Sequence, residues 1–307
     1  MTREEINEEK QKEIMKEQNK ETIKKTIKLT IKLILIIGIF SAIFFYYTTY
    51  ISTVKVSIKE ERIINKKIPT SFNGLKIIQI SDLHYGSTMF NEDLKKIVKQ
   101  INKRKPDLVV FTGDLISNEY KISNKEQEKL STELKNINAS LGKYAIFGDE
   151  DKEEIGVILT QAEFTILKNE SELIYNNSND AILLIGLSSN IKKEQDIDKG
   201  YSYFKEETHN ADIYTITLLH EPDQVDNILT SYKTDLFLAG HSHNGLIRIP
   251  FINKALFKFD GAKKYDQSYY KINDSTLYIS SGLGTNKKSS IRLFCRPSIN
   301  FFRLSNN

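Results

Sequence analysis

Leu75-Lys76-Ile77-Ile78-Gln79-Ile80-Ser81-Asp82-Leu83-His84 changes character part-way along. Leu75–Ser81 reads as an apolar strand. The chain then presents a carboxylate and an imidazole two positions apart. A short apolar run bounded by polar residues predicts a buried strand. The same change recurs downstream. Leu108–Thr112 runs into Gly113-Asp114, and Tyr144–Phe147 into Gly148-Asp149-Glu150-Asp151. Ile213–His220 ends on His220-Glu221-Pro222. Leu236–Ala239 runs into Gly240-His241-Ser242-His243-Asn244-Gly245.

Between these runs the apolar period changes. Asn91–Lys103 places Leu94, Ile97, Val98 and Ile101 at helical spacing, and Pro106 stops that helix. A polar helix is predicted around Lys125–Lys135. Further strands are predicted at Ala181–Leu187, Leu277–Ser280 and Ile291–Cys295. Strand–helix alternation early and strands later argue for a layered α/β sandwich.

In such folds, ligands gather beyond the carboxyl ends of strands. Five strand ends here carry Asp or His, and four of the five His lie there; only His209 falls elsewhere. Singly, each is an ordinary turn or a core histidine. His241-x-His243 is stronger, because alternate residues of an extended segment point the same way. Together they fit a pair of divalent metals. Carboxylate oxygens and imidazole nitrogens suit Mn²⁺, Fe or Zn²⁺ better than a thiolate site would. Two ions about 3.5–4 Å apart clamp a phosphate and lower the pKa of a bridging water. One Asp must bridge them, and Asp114 is the natural choice.

The order Asp82-Leu83-His84, Gly113-Asp114, Gly148-Asp149-Glu150-Asp151, His220 and Gly240-His241-Ser242-His243 resembles the calcineurin-like metallophosphoesterase superfamily. The likeness spans Lys76 to Arg296. It is closest to a bacterial membrane-anchored or exported branch, through Ile-Ser-Asp-Leu-His and the tail Ser281-Gly282-Leu283-Gly284-Thr285 … Arg292-Leu293-Phe294-Cys295-Arg296-Pro297. The resemblance implies a four-layer α/β/β/α sandwich with every ligand on a loop. It implies one ion held by Asp82, His84, Asp114 and His243. A second is held by Asp114, Asp149, His220 and His241. It also implies a metal-bridging hydroxide that attacks phosphorus in line.

The third motif departs from the family, which has Asn-His where this chain has Asp149-Glu150. Asp149 can still ligate. With Asp82, Asp114 and a hydroxide it cancels the charge of two divalent ions, and a neutral centre attracts phosphate less strongly. The resemblance makes position 150 the catalytic one that contacts phosphate and protonates the leaving group. A carboxylate beside two cations is ionised, so Glu150 is a poor general acid. An alternative follows: a catalytically weakened protein that acts as a metal- or ligand-binding sensor or scaffold.

Upstream, residues 1–32 form a charged arm with nine basic residues against seven Glu. Leu33–Val54 carries no charge over 22 residues. At 1.5 Å per residue it spans the roughly 30 Å hydrocarbon core, with Tyr46, Tyr47 and Tyr50 as an interfacial belt. The run exceeds the roughly 7–15 apolar residues of a cleaved signal peptide. A single-pass signal anchor is therefore expected. Six flanking Lys before the span against five basic residues after it lean to a cytoplasmic N-terminus and an extracytoplasmic catalytic domain. Residues 55–307 read as one domain.

Hydrophobic residues at 39% and charged residues at 27% exclude a disordered or multi-spanning chain. One cysteine excludes a disulfide framework and a multi-thiolate zinc site. A net charge of +4 and the lack of a basic aromatic groove give no expectation of nucleic acid. No His-Glu-x-x-His is present to support a peptidase. Gly282-Leu283-Gly284-Thr285, with Lys287 and Lys288, reads as a turn near the metal mouth. Cys295 reads as a buried structural thiol, and Arg292 and Arg296 as exposed. The expected function is a membrane-anchored two-metal phosphohydrolase. Its substrate is a phosphate monoester or diester, a phospholipid or a lipid pyrophosphate. Oligomeric state is left open.

Overall fold

The computed structural model describes every residue except Met1, Val54, Glu207, Thr208, Ala211, residues 249–258 and 287–290, and the side chain of Tyr50. The expectations for Tyr50, Val54, Lys287 and Lys288 therefore lie outside the described residues. The chain divides into two units, ending and beginning at Thr48 and Thr49.

The first unit is the helix α1 (Arg3–Tyr46). Thr2 caps it, its hydroxyl accepting from the Glu5 N–H while the Glu5 carboxylate accepts from the Thr2 N–H. Such a reciprocal pair satisfies two of the orphan donors at a helix start. From Leu33 to Tyr46 the large apolar side chains are exposed. This helix is long and apolar enough to cross a membrane, and its N-terminal place also fits a signal sequence.

In the second unit the strands are β1 (Ser57–Ile64), β2 (Lys76–Ile80), β3 (Leu108–Thr112), β4 (Lys143–Ile146), β5 (Thr165–Ile166) and β6 (Glu170–Tyr175). They continue with β7 (Ala181–Gly186), β8 (Thr215–Leu219), β9 (Leu236–Ala239), β10 (Tyr269–Ile272), β11 (Ser275–Ile279) and β12 (Ser298–Ser305). The helices are α2 (Asn91–Lys103), α3 (Asn124–Lys135), α4 (Glu154–Gln161), α5 (Ile197–Gly200) and α6 (Val225–Leu229). Two six-stranded sheets result, ordered β1-β12-β2-β3-β4-β5 and β10-β11-β9-β8-β7-β6.

Side-chain alternation builds the layers. On β2, Ile77 enters the core between the sheets, while Ile78 and Ile80 face the helices α2, α3 and α4. On β8, Ile216 and Leu218 meet Ile77 from the opposite sheet, while Leu219 joins Val225 and Ile228 of α6. The order is helix, sheet, sheet, helix, as expected. Gln79, Thr112 and Asn300 are buried polar side chains in the middle layer, centred on Gln79. Its amide donates to Thr112 Oγ1 at 3.1 Å and, across the sheets, to Ala239 O at 2.9 Å, and its oxygen accepts from Asn300 at 3.0 Å. Orphaning these buried groups would cost about 1–3 kcal/mol.

β2, β3 and β4 run parallel, as do β8 and β9. Their carboxyl ends therefore open at one side of each sheet. One expected strand is absent: Ile291–Cys295 forms only an isolated bridge, Leu293 to Ile247. Phe294 is left-handed there, at φ 53°, which interrupts an extended run, and the buried Arg292 side chain donates to the Cys295 carbonyl. The last strand is instead β12. It pairs parallel with β1 and antiparallel with β2.

Candidate metal centre

Seven polar side chains converge where five strands end. β2 delivers Asp82 and His84, β3 Asp114, β4 Asp149, β8 His220, and β9 His241 and His243. Asp82, His84, Asp114, His220 and His243 are buried, and Asp149 and His241 face the mouth. Five of the seven have left-handed backbone: Asp82, His84, Asp114, His241 and His243. Such a residue costs on the order of 1–3 kcal/mol and persists only where its surroundings hold it. That strain turns the side chains inward from the strand ends.

Close backbone approach tightens the site further. A Cβ on Gly148 would lie 2.2 Å from Asp114 Oδ1. One on Gly282, at φ +66°, would lie 2.7 Å from His243 Nδ1 and 2.9 Å from the Asp82 Cβ. Glycine is required at both places, which explains the Gly282–Gly284 turn beside the mouth.

Two sets of ligand atoms gather, each within 4.8 Å: Asp114, Asp149, His220 and His241, and Asp82, His84 and His243. His220 Nε2 lies 3.3 Å from Asp114 Oδ2 and 3.1 Å from Asp149 Oδ1. His241 Nδ1 lies 2.9 Å from the same Asp149 oxygen. Asp114 Oδ2 also lies 3.8 Å from His84 Nε2, so it stands between the sets. On the far side, His84 Nε2 faces His243 Nε2 at 3.1 Å, and His243 Nε2 lies 3.6 Å from Asp82 Oδ1.

The donor set fits a divalent ion. His220 Nδ1 donates to Thr112 O at 2.6 Å, and His241 Nε2 donates to Asp260 O at 2.6 Å. A carbonyl oxygen only accepts, so each of those nitrogens carries the hydrogen. As neutral rings, His220 and His241 then present lone pairs at Nε2 and Nδ1, both facing Asp149. Burial works against charge on either ring, but Asp114 beside His220 and Asp149 beside His241 raise both pKa values, so the space between ring and carboxylate suits a positive charge, a proton or a divalent ion. Buried Asp82 Oδ2 also lacks a hydrogen-bond partner. Carboxyl-to-imidazole contact fixed by outer partners is the usual build of a metal ligand set.

Asp151 ties the loops together. Its Oδ2 accepts from the N–H groups of Asp114 and Gly148, and its Oδ1 from that of Leu115, all at 2.8 Å. Lys192 donates to its carbonyl. Burial, and then the charge of Asp114, push its carboxyl up to about 6. Glu150 lies in the mouth rather than outside the site. Its Oε2 is 3.3 Å from His84 Nδ1, and its Oε1 accepts from the Asn286 amide at 3.1 Å. Burial works against its charge, but the His84 ring and the Asn286 amide hold its pKa below the usual glutamate range.

These motifs lie within the residues matched by the family model "Calcineurin-like phosphoesterase", 75–245. The chain belongs to the calcineurin-like phosphoesterase family. It is similar to the uncharacterized metallophosphoesterase YkuE of Bacillus subtilis, 30% identical over 84% of this chain and 88% of that one. It is also similar to the UDP-2,3-diacylglucosamine pyrophosphatase LpxG of Chlamydia muridarum, 28% identical over 77% of this chain and 86% of that one. Among solved structures, the calcineurin-like phosphoesterase YfkN from Bacillus subtilis aligns with a TM-score of 0.40 at 14% identity. That alignment covers 68% of this chain and 81% of that one. Membership in this family implies phosphoesterase chemistry, and the clustered Asp and His residues support divalent-metal binding.

Arg292 reverses its expectation. This phosphoesterase buries it completely. Its guanidinium donates to the carbonyls of Ser281 at 2.6 Å and Gly284 at 2.9 Å, and Nη2 lies 3.3 Å from His243 Nδ1. Charge alone predicted exposure; the loop carbonyls override it. Arg296 is exposed as expected, and Cys295 is buried with its thiol donating to His243 O. His209 stacks on Tyr203. Asp151 and Asn286 were not singled out. An acid three residues after Gly148, in position to accept that glycine's N–H, was the available signal for Asp151.

Proposed function

We propose that this chain is a membrane-anchored two-metal phosphohydrolase. Its catalytic unit lies outside the cytoplasm, and its substrate is a phosphoanhydride at a lipid surface. The observation that carries it is the convergence of seven nitrogen and oxygen donors in two sets, with Asp114 of one set 3.8 Å from His84 of the other. Asp82, His84, Asp114 and His243 would hold one ion, and Asp114, Asp149, His220 and His241 the other. Bound divalent ions supply Lewis-acid polarisation of a phosphoryl oxygen and water of lowered pKa.

The residues around the ions do the rest. Asp114 spaces the two sites, and Thr112 and Asp260 carbonyls fix the tautomers of His220 and His241. Asn286 borders the mouth and presents an amide there. Glu150 is ionised and has no proton to give a leaving group. An alkoxide then leaves slowly, whereas a phosphate leaving group needs no proton. The relative named as a UDP-2,3-diacylglucosamine pyrophosphatase supports the same substrate class. The apolar helix α1 supports a place at the bilayer.

The test uses the full chain in detergent with Mn²⁺. Hydrolysis of a nucleotide-linked lipid pyrophosphate is compared with that of glycerol phosphate. At least a tenfold preference for the anhydride is expected. Equal rates would remove the leaving-group argument. Bound metal with neither substrate turned over would favour the sensor reading.

A further inference from the structure

Each candidate histidine ligand has an outer ring nitrogen, the one turned away from the facing ligands, and two of these meet carbonyl acceptors. His220 uses Thr112 O and His241 uses Asp260 O, whereas His243 Nδ1 faces a donor, the Arg292 guanidinium. His84 is the fourth. Its Nε2 faces Asp114 and His243, so its outer nitrogen is Nδ1. That atom is buried and makes no aligned hydrogen bond. The acceptor facing it at 3.3 Å is Glu150 Oε2.

Glu150 is itself held from three directions. Its N–H donates to Asp114 Oδ1 at 3.0 Å. Its Oε2 accepts from the Asn118 N–H at 3.2 Å, and its Oε1 accepts from Asn286. Each carboxylate oxygen thus accepts one bond and keeps a second lone pair, and Oε2 is the one that faces His84 Nδ1. His84, Asp114 and Glu150 also group within 4.8 Å.

We propose that Glu150 is a positioning residue for His84: its carboxylate accepts from Nδ1–H and holds Nε2 toward the metal position. The role deepens the two-metal reading and rests on it. Carboxylate–histidine–metal chains of this kind fix the tautomer and raise the basicity of the ligand. The residue that replaces a phosphate-facing histidine would then serve the metal rather than the substrate.

The experiment is Mn²⁺ titration of the metal-stripped full chain in detergent, by calorimetry, for the wild type, Glu150→Ala and Glu150→Gln. Glu150→Ala is expected to weaken one of two Mn²⁺ equivalents by about 10–100-fold. Glu150→Gln keeps an oxygen acceptor and is expected to stay within about threefold of the wild type, a rescue that bulk destabilisation would not give. Melting of the stripped proteins checks folding, and all three are expected to melt together. Equal affinity for Glu150→Ala and the wild type would overturn the proposal, as would equal loss in both variants. Absence of any Mn²⁺ binding by the wild type would instead overturn the two-metal reading beneath it.

Discussion

The two halves of the centre are sealed differently. Asp82, His84 and His243 are buried, and charged side chains brace them: Arg292 beside His243, and Glu150 beside His84. In the other half, the Asp149 and His241 side chains keep 21% and 10% exposure. Backbone carbonyls brace His220 and His241 there. The buried half thus depends on side chains that a substitution can remove. The open half depends on backbone carbonyls and is the more exposed of the two.

Asp114 joins the halves, and its loss should be the largest effect. Asp114→Ala is expected to remove both metal equivalents and to lower hydrolysis by at least about 10³-fold, roughly 4 kcal/mol of barrier. Steady-state rates with metal analysis check this. Survival of one full equivalent would show the halves to be independent.

Arg292→Met strips the brace from the buried half alone. Four carbonyl oxygens, of Ser281, Gly282, Gly284 and Cys295, lose a charged donor. The expected cost is about 3 kcal/mol, a fall in Tm of roughly 6–12 °C. The same variant should weaken only the Mn²⁺ equivalent that His243 would hold, as read by calorimetry.

Chelation compares the halves more gently. An ion present at 100 times its Kd stabilises the fold by about 2.7 kcal/mol per site. EDTA should lower the Tm of the wild type by about twice as much as that of His84→Ala, which retains only the open half.

Asp149→Asn sharpens the electrostatic side of the comparison and is the smallest effect. One carboxylate fewer should tighten inhibition by inorganic phosphate about three- to tenfold, measured as Ki.

Legibility in the sequence divides along a related line. The strand ends that carry the seven donors were readable, because apolar runs stop at residues whose chemistry has few other uses. Helix α2 was readable to its bounds from Leu94, Ile97, Val98, Ile101 and Pro106. The braces were not. Arg292 sits in an apolar run and is buried by carbonyls of residues 281–284, contacts that composition does not encode. Strand β1 reads Ser-Ile-Lys-Glu-Glu-Arg-Ile-Ile because it is an edge strand with one half-buried face. Its partner β12 lies some 240 residues away, and no local pattern announces that pairing. Strand β6 is also an edge, with Glu170 and Glu172 exposed, and alternation there was too polar to stand out.

The most direct test is metal stoichiometry of the full chain, purified in detergent with Mn²⁺ and measured by mass spectrometry. Two equivalents are expected for the wild type, one for His84→Ala, one for His220→Ala and none for Asp114→Ala. A single equivalent in the wild type, or two retained without Asp114, would contradict a centre built from two halves around a shared carboxylate.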